Sequence, residues 1–289
     1  MNKKELLNIP FVAKEKIANI CTYKTSGNVK GVFYPENERQ LIMIYQYLKD
    51  IELPFKIIGN GSNLLIKDNC DYLFICTKKM QDKIIIKDED VYISTSVNIS
   101  KAFKLCCQKG LSGFEKLAGI PATIGGALKM NASAYNNSIL DHLEKIKVYK
   151  DGKIKYIKKE DFLYSYHKTN LNDCLILSAK FKLVKANSCQ ILSQYSKYIK
   201  LRGDKQPRGF SCGSVFKNPQ NYSAGRLVEQ CMLKGTSRGD AQISNKHANF
   251  IININNAKFE DVKELIELCQ EEVNKRYNIN LEPEVEIIE

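Results

Sequence analysis

Two glycine-rich segments are the parts of this 289-residue chain whose residue types point most directly to chemistry: Gly59-Asn60-Gly61-Ser62-Asn63 and Gly119-Ile120-Pro121-Ala122-Thr123-Ile124-Gly125-Gly126. The first departs from the strand–turn–helix fingerprint of dinucleotide-binding proteins. Leu64 stands where a third glycine would be, and an extended run follows instead of a helix. Taken alone it reads as a tight turn between strands. Two glycines nevertheless permit positive φ, so successive N–H groups can converge on an anion, and Ser62 and Asn63 add short side-chain bonds. In the second segment three glycines, a proline and small side chains let a ligand approach the backbone. Thr123 offers a hydroxyl to phosphate, and a helix opening near Pro121 adds its dipole. The bland alternative is close packing of a helix on a sheet. Together the two segments favour a long, extended dinucleotide such as FAD.

The elements that must hold these segments follow from periodicity. Leu41, Ile42, Ile44, Tyr45 and Leu48 give residues 36–49 a helical face. Extended runs follow at 55–58, 64–66, 73–76, 83–87 and 91–95, and a helix at 99–109 ends at Gly110. Asp151-Gly152 joins strands 145–149 and 153–158 as a hairpin. A strand at 174–184, a helix at 190–200, a loop at 201–221 and a helix at 223–234 come next. Residues 248–252 read as a strand, 258–277 as the clearest amphipathic helix, and 284–288 as a last strand. A change of character near 186–190 divides the chain. The expected domains are 1–188, split near 75, and 189–280, with 281–289 packing against one of them.

Composition narrows the class. Apolar residues make up 44% of the chain, which is a globular composition. No run approaches a membrane span and no signal-like apolar stretch follows Met1, so the expected location is the cytoplasm. Ten cysteines include no Cys-x-x-Cys pair, and there are three histidines. Reduced, mostly buried thiols and no metal site are expected. The net charge of +12 comes mostly from lysines scattered among carboxylates. It suits a polyanionic small ligand better than nucleic acid, which would want a basic run interleaved with aromatics.

Further along, the chain resembles the UDP-N-acetylenolpyruvoylglucosamine reductases of bacterial cell-wall synthesis, nearly end to end. Tyr23-Lys24-Thr25-Ser26-Gly27 is similar to a weakened form of the family's opening motif, and the two glycine segments are similar to its FAD loops. Ser165-Tyr166, Lys205-Gln206-Pro207, Gly213-Ser214-Val215-Phe216-Lys217-Asn218-Pro219, Lys246-His247-Ala248-Asn249-Phe250 and Leu281-Glu282-Pro283-Glu284-Val285 follow in the family's order. The resemblance implies an α+β chain. It has an FAD-binding fold of the vanillyl-alcohol-oxidase type, in two α/β subdomains, and a smaller α+β substrate-binding domain. The spacing of about 36 residues from Lys168 to Lys205 is similar to the short subtype that lacks a tyrosine loop.

The resemblance also implies a reaction. NADPH reduces FAD, the flavin passes hydride to the enolpyruvyl double bond of UDP-N-acetylglucosamine enolpyruvate, and a carboxylate-stabilised carbanion takes a proton. Ser214 matches the proton donor and Glu284 the catalytic carboxylate, which the last strand would bring to the active site. Glu282 and Glu286 would share its face by strand alternation. Asn218 and His247 match positions expected near the substrate, Lys205 and Arg202 are expected to meet its diphosphate, and Lys217 is expected to face either NADPH or the substrate. Cys212 reads as a packing residue. The family's Ser-Tyr-Arg is Ser165-Tyr166-His167 here, so either His167 acts as imidazolium on the carboxylate, or Lys168 supplies the charge, or activity is weak. Ala122, Ser133 and Asn136 stand where glycine is usual, and Glu286 where arginine is usual. A monomer is expected. The competing readings are an FAD oxidoreductase of the same fold acting on another carbohydrate, and a non-catalytic polyanion-binding relative.

Overall fold

The computed structural model describes residue 6 and residues 8–289. Its contacts divide the chain into two units. One comprises Phe33–Asn60, Phe74–Arg202 and the described residues before Val12, and the other comprises Val12–Val32, Gly61–Leu73 and Gly203–Glu289.

The first unit is built on a five-stranded antiparallel sheet. Its strand order is Lys153–Lys158, Leu143–Lys150, Leu175–Lys182, Asp90–Ser94 and Ile84–Lys87. The Asp151-Gly152 turn supplies the two positive φ values, 52° and 74°, that a tight hairpin requires. Helices Ile99–Gln108 and Ile124–Met130 bury Phe103, Cys106, Ile124 and Leu128 in one core with Ile146, Val148 and Phe181 of the sheet. Strands Phe55–Ile58 and Leu73–Cys76 are hydrogen-bonded neighbours. The nearby helix Glu38–Asp50 starts where Asn37 caps the N–H of Gln40 and buries Leu41, Ile44, Tyr45 and Leu48.

The second unit contains a three-stranded antiparallel sheet, Ser237–Arg238, Ala241–Ile243 and Ile251–Asn253. Helix Phe259–Tyr277 packs on it through Phe259, Val262, Leu265, Ile266, Cys269 and Val273. Each such side chain is worth about 1.5–3 kcal/mol when buried, and this stripe is the largest apolar investment of that unit. The last strand, Glu286–Ile288, pairs in parallel with Leu64–Ile66.

The structure departs from the expected elements where side chains compete with periodicity. The helix expected at 223–234 is only Ala224–Gln230, because Met232 takes φ 60°. The strand expected from Ala248 begins at Ile251, since residues 247–250 close a turn through Phe250 N–H to His247 O at 3.0 Å. The helix expected to end near 200 runs from Ser188 to Lys205. The contact division is not a cut near 188. Segments 12–32 and 61–73 group with the C-terminal residues because they are bonded to them: Asn253 Nδ2 donates to Tyr23 O and Lys24 O, and Thr22 Oγ1 donates to Ser211 O at 2.8 Å. All ten cysteines are free thiols.

Candidate active site

In the first unit the two glycine segments touch. Gly59 ends the strand Phe55–Ile58, and a Cβ there would run into the side chain of Thr123. A Cβ on Gly125 would run into Thr95 Oγ1. Asn60 Nδ2 donates to Pro121 O at 3.0 Å and to Asn98 Oδ1. The helix starts at Ile124, three residues past Pro121, because Thr123 Oγ1 caps the N–H of Gly126 at 3.3 Å. Thr123 is buried against Gly59, so the hydroxyl expected to reach phosphate is turned inward and committed to the cap. Gly119, Ile120 and Ala122 are half-buried while Pro121 and Gly126 are exposed. Gly59 and Gly125 pack directly on Thr123 and Thr95, while the exposed Pro121 and Gly126 and the half-buried Asn60, Gly119 and Ile120 leave peptide edges open on the outside of this packing, along which a flat, elongated cofactor can lie. FAD fits this cradle.

The other end of that helix positions His167. Asn131, in left-handed conformation at the C-cap, donates from Nδ2 to Ser165 O at 2.8 Å. Thr169 Oγ1 donates to Lys129 O at 2.8 Å. These bonds hold a hairpin in which Ser165 pairs with Lys168 and Tyr166-His167 form the turn. His167 has φ 50°, and its ring meets Tyr166 edge-on at 4.1 Å. His167 is half-buried and Lys168 exposed. The helix has seven residues, so about 10 Å of rise separates the glycine segment from the hairpin anchor.

In the second unit the structure lays the segment that follows Ser214 against Glu284, 70 positions later in sequence, through Val215 and Phe216. Gly213, at φ 77°, turns the chain into Ser214. Val215 N–H donates to Asn249 O at 2.9 Å, and Val215 O accepts from Glu284 N–H at 2.7 Å. Asn249 is buried and grips both sides of Phe216. Its Oδ1 accepts from the Phe216 N–H at 2.9 Å, and its Nδ2 donates to the Phe216 O at 2.8 Å. Lys217 N–H donates to Glu282 O, and Lys217 Nζ pairs with the Glu282 carboxylate. Glu284 is half-buried. Burial pushes its carboxyl from 4.5 up to about 7, against the opposing charge of Lys217. The expected common face of Glu282, Glu284 and Glu286 is not formed. The strand begins only at Glu286, and Glu282 and Glu286 are exposed.

The second half of the first glycine segment is tied to these residues. Asn63 Nδ2 donates to Glu284 O at 2.8 Å, and Glu286 N–H donates to Asn63 O at 2.9 Å. Gly61 takes φ 62°, a Cβ on it would strike Ile20 O, and its own carbonyl accepts from Thr22 N–H. Ser62 is half-buried beside them. Cys21 and Cys212, both buried, donate from Sγ to Leu64 O at 2.9 and 3.1 Å. Cys212 therefore does more than fill space, since it fastens the residues before Ser214 to the glycine segment.

The remaining sequence-predicted residues are placed less uniformly. Asn218 is exposed and its Oδ1 accepts from Ala224 N–H. His247 is half-buried, packs on Phe250, and accepts the Asn249 N–H at Nδ1. Burial, with Lys234 adding to it, holds its pKa below the usual histidine value. Lys205 and Arg202 share a helix but not an environment. Lys205 is exposed in the second unit, whereas Arg202 is half-buried in the first, against Gly119. The sequence reading missed Asn131 and Asn249 as positioning residues. The signal for Asn249 was its place in the Lys246–Phe250 motif. For Asn131 it was an asparagine at the end of a helix, where left-handed geometry is tolerated. Among the described residues no group of three or more His, Cys, Asp or Glu side chains is arranged to hold a metal, and no helix is long and apolar enough to cross a membrane.

Sequence and structure comparisons agree with this geometry. Residues 29–157 match the FAD binding domain family, and residues 206–288 match the C-terminal domain of UDP-N-acetylenolpyruvoylglucosamine reductase. The fold and site thus define an FAD-dependent oxidoreductase built on an FAD binding domain. The reductase of that name from Caldicellulosiruptor saccharolyticus is 36% identical over 98% of this chain and 94% of its own length. That of Enterococcus faecalis is 33% identical over 100% and 99%. The crystal structure of the Thermus caldophilus reductase superimposes with a TM-score of 0.82 at 30% identity, covering 98% of this chain and 99% of that one. The chain belongs to the UDP-N-acetylenolpyruvoylglucosamine reductase family.

Proposed function

We infer that the chain reduces UDP-N-acetylglucosamine enolpyruvate to UDP-N-acetylmuramate with NADPH, in the synthesis of peptidoglycan precursors. Full-length similarity to reductases of that name supports the reading. The observation that carries it is the pinning of Glu284 beside the Ser214 segment through Val215 O, with Glu284 poised near neutrality. FAD held by the two glycine segments would supply the redox chemistry between NADPH and the enolpyruvyl double bond.

The chain's own side chains do the rest. Ser214 gives its hydroxyl proton to the carbon adjacent to the reduced position, where a strongly basic centre makes a weak acid sufficient. Glu284 is half protonated at neutral pH and exchanges a proton with that hydroxyl between turnovers. His167, as imidazolium, meets the enolpyruvyl carboxylate from the hairpin turn, with Lys168 as the adjoining charge. Lys217, Asn218, His247 and Lys205 hold the nucleotide part of the substrate. The backbone of Gly59–Asn63 and of Gly119–Gly126 holds the flavin nucleotide. The net charge of +12 draws in both anionic substrates. The reading includes a cytoplasmic monomer.

One anaerobic experiment tests the whole of it. NADPH should bleach the bound flavin, and one equivalent of UDP-N-acetylglucosamine enolpyruvate should then restore its colour. A flavin that bleaches and stays bleached rules this substrate out.

A further inference from the structure

We propose that Arg202 grips the diphosphate of FAD and not that of the sugar nucleotide. The proposal rests on the FAD reading above and deepens it. Arg202 lies near the end of helix Ser188–Lys205, within the same unit as the second glycine segment. A Cβ on Gly119 would lie 3.1 Å from Arg202 Cδ and 3.6 Å from Nη1, so the guanidinium runs along the bare backbone at the start of that segment. Around it Glu115, Lys116, Gly119, Tyr135, Tyr198 and Ile199 close into a narrow crevice with no room for a ligand inside, so a phosphate would meet Arg202 at the mouth, over the Gly119 backbone. Tyr135 and Tyr198 form its aromatic wall, ring centres 4.7 Å apart, fixed by the Tyr135 hydroxyl donating to Tyr198 O at 3.2 Å.

The charge in this pocket lacks a counter-ion. Among the described residues no carboxylate lies within ion-pair distance of Arg202. Glu115 lines the same crevice and is buried; its Oε2 accepts the Gly113 N–H and its Oε1 has no hydrogen-bond partner, but it forms no ion pair with the guanidinium. Burial lowers the arginine's pKa, the mark of a cation partly stripped of water. A partly desolvated guanidinium without an anion is costly unless a ligand brings one. Its planar fork matches two phosphate oxygens, which a lysine cannot do. Lys205, one turn further on and exposed, has none of these features.

The test is a titration of apoprotein with FAD followed by flavin fluorescence, for the wild type, Arg202→Met and Arg202→Lys. FAD should bind Arg202→Met roughly 10–100 times more weakly, the size of a lost charge-assisted pair, with Arg202→Lys in between. Riboflavin, which has no phosphate, should bind all three alike. In FAD-saturated protein, the substrate dissociation constant, read from the flavin spectrum, should not change. The proposal is overturned if Arg202→Met binds FAD within about twofold of wild type. It is equally overturned if riboflavin binding falls with FAD binding, or if only the substrate constant moves. Should Arg202→Met fail to fold, Arg202→Lys is judged by the same ratios. Failure of wild-type apoprotein to bind FAD would instead sink the flavin reading itself.

Discussion

At the scale of single residues, the informative groups are those whose neighbours give them a state that sequence does not reveal. Ser214 matches a proton donor by motif, and its variant Ser214→Ala should slow substrate-driven flavin reoxidation by about 10²–10⁴ while leaving reduction by NADPH near wild-type speed. Stopped-flow measurement of the two half-reactions checks this, and an equal loss in both would count against the role. Glu284 was legible as a candidate but its titration was not, because that depends on burial beside Val215 and on Lys217. Its folded pKa, about 7, lies above the unfolded 4.5. The folded state therefore holds the proton more tightly. That advantage is full at low pH and is lost as pH rises through about 7, at a cost of up to about 3 kcal/mol. Glu284→Gln removes the titration. Its melting temperature should match wild type at about pH 4 and exceed it at about pH 8.5, while its activity falls. Coincident melting curves at both values would show that the carboxyl is not perturbed.

At the scale of elements, the short helix Ile124–Met130 organises the candidate residues of the first unit. Thr123 and the glycines lie at its start, and Asn131 and the His167 hairpin at its end. The sequence marked a helix here but set its start at Pro121, because proline is a good first-turn residue and side-chain capping by Thr123 depends on Gly126 lying beneath it. The hairpin itself was invisible to periodicity. Its strands are two residues each, and the bonds that stabilise it come from Asn131 and Lys129, far away in sequence. Asn131→Ala should cost about 1 kcal/mol of stability from the lost bond and weaken substrate binding more than FAD binding. His167→Arg tests the hairpin's charge. Wild-type reoxidation should decline from about pH 6 to pH 8 as the imidazolium and the Glu284 proton are lost, and the arginine variant should lose the imidazolium's part of that decline and keep that of Glu284. An unchanged profile would hand the role to Lys168. Gly59→Val should expel flavin by driving a side chain into Thr123, which absorbance of the purified protein reports directly.

At the scale of the whole molecule, the strands and helices were mostly readable and their partnership was not. Periodicity sees neighbours within a turn or a pleat, whereas Leu64–Ile66 with Glu286–Ile288, or Cys21 with Cys212, are unions across the length of the chain. The expected contiguous domains followed from this blindness. A fragment of residues 203–289 should therefore remain unfolded by circular dichroism, lacking segments 12–32 and 61–73, and a folded fragment would contradict the division. The parallel pairing also sets a clock on biosynthesis. Leu65 and Ile66 are fully buried against partners synthesised some 220 residues later, which at ribosomal speed is about 10–40 s. For that interval a sticky, β-prone triplet beside the future flavin loop waits unpaired, so slowing translation should raise the fraction of chain lost to aggregation during synthesis, measured as soluble yield, without changing the melting temperature of the finished protein.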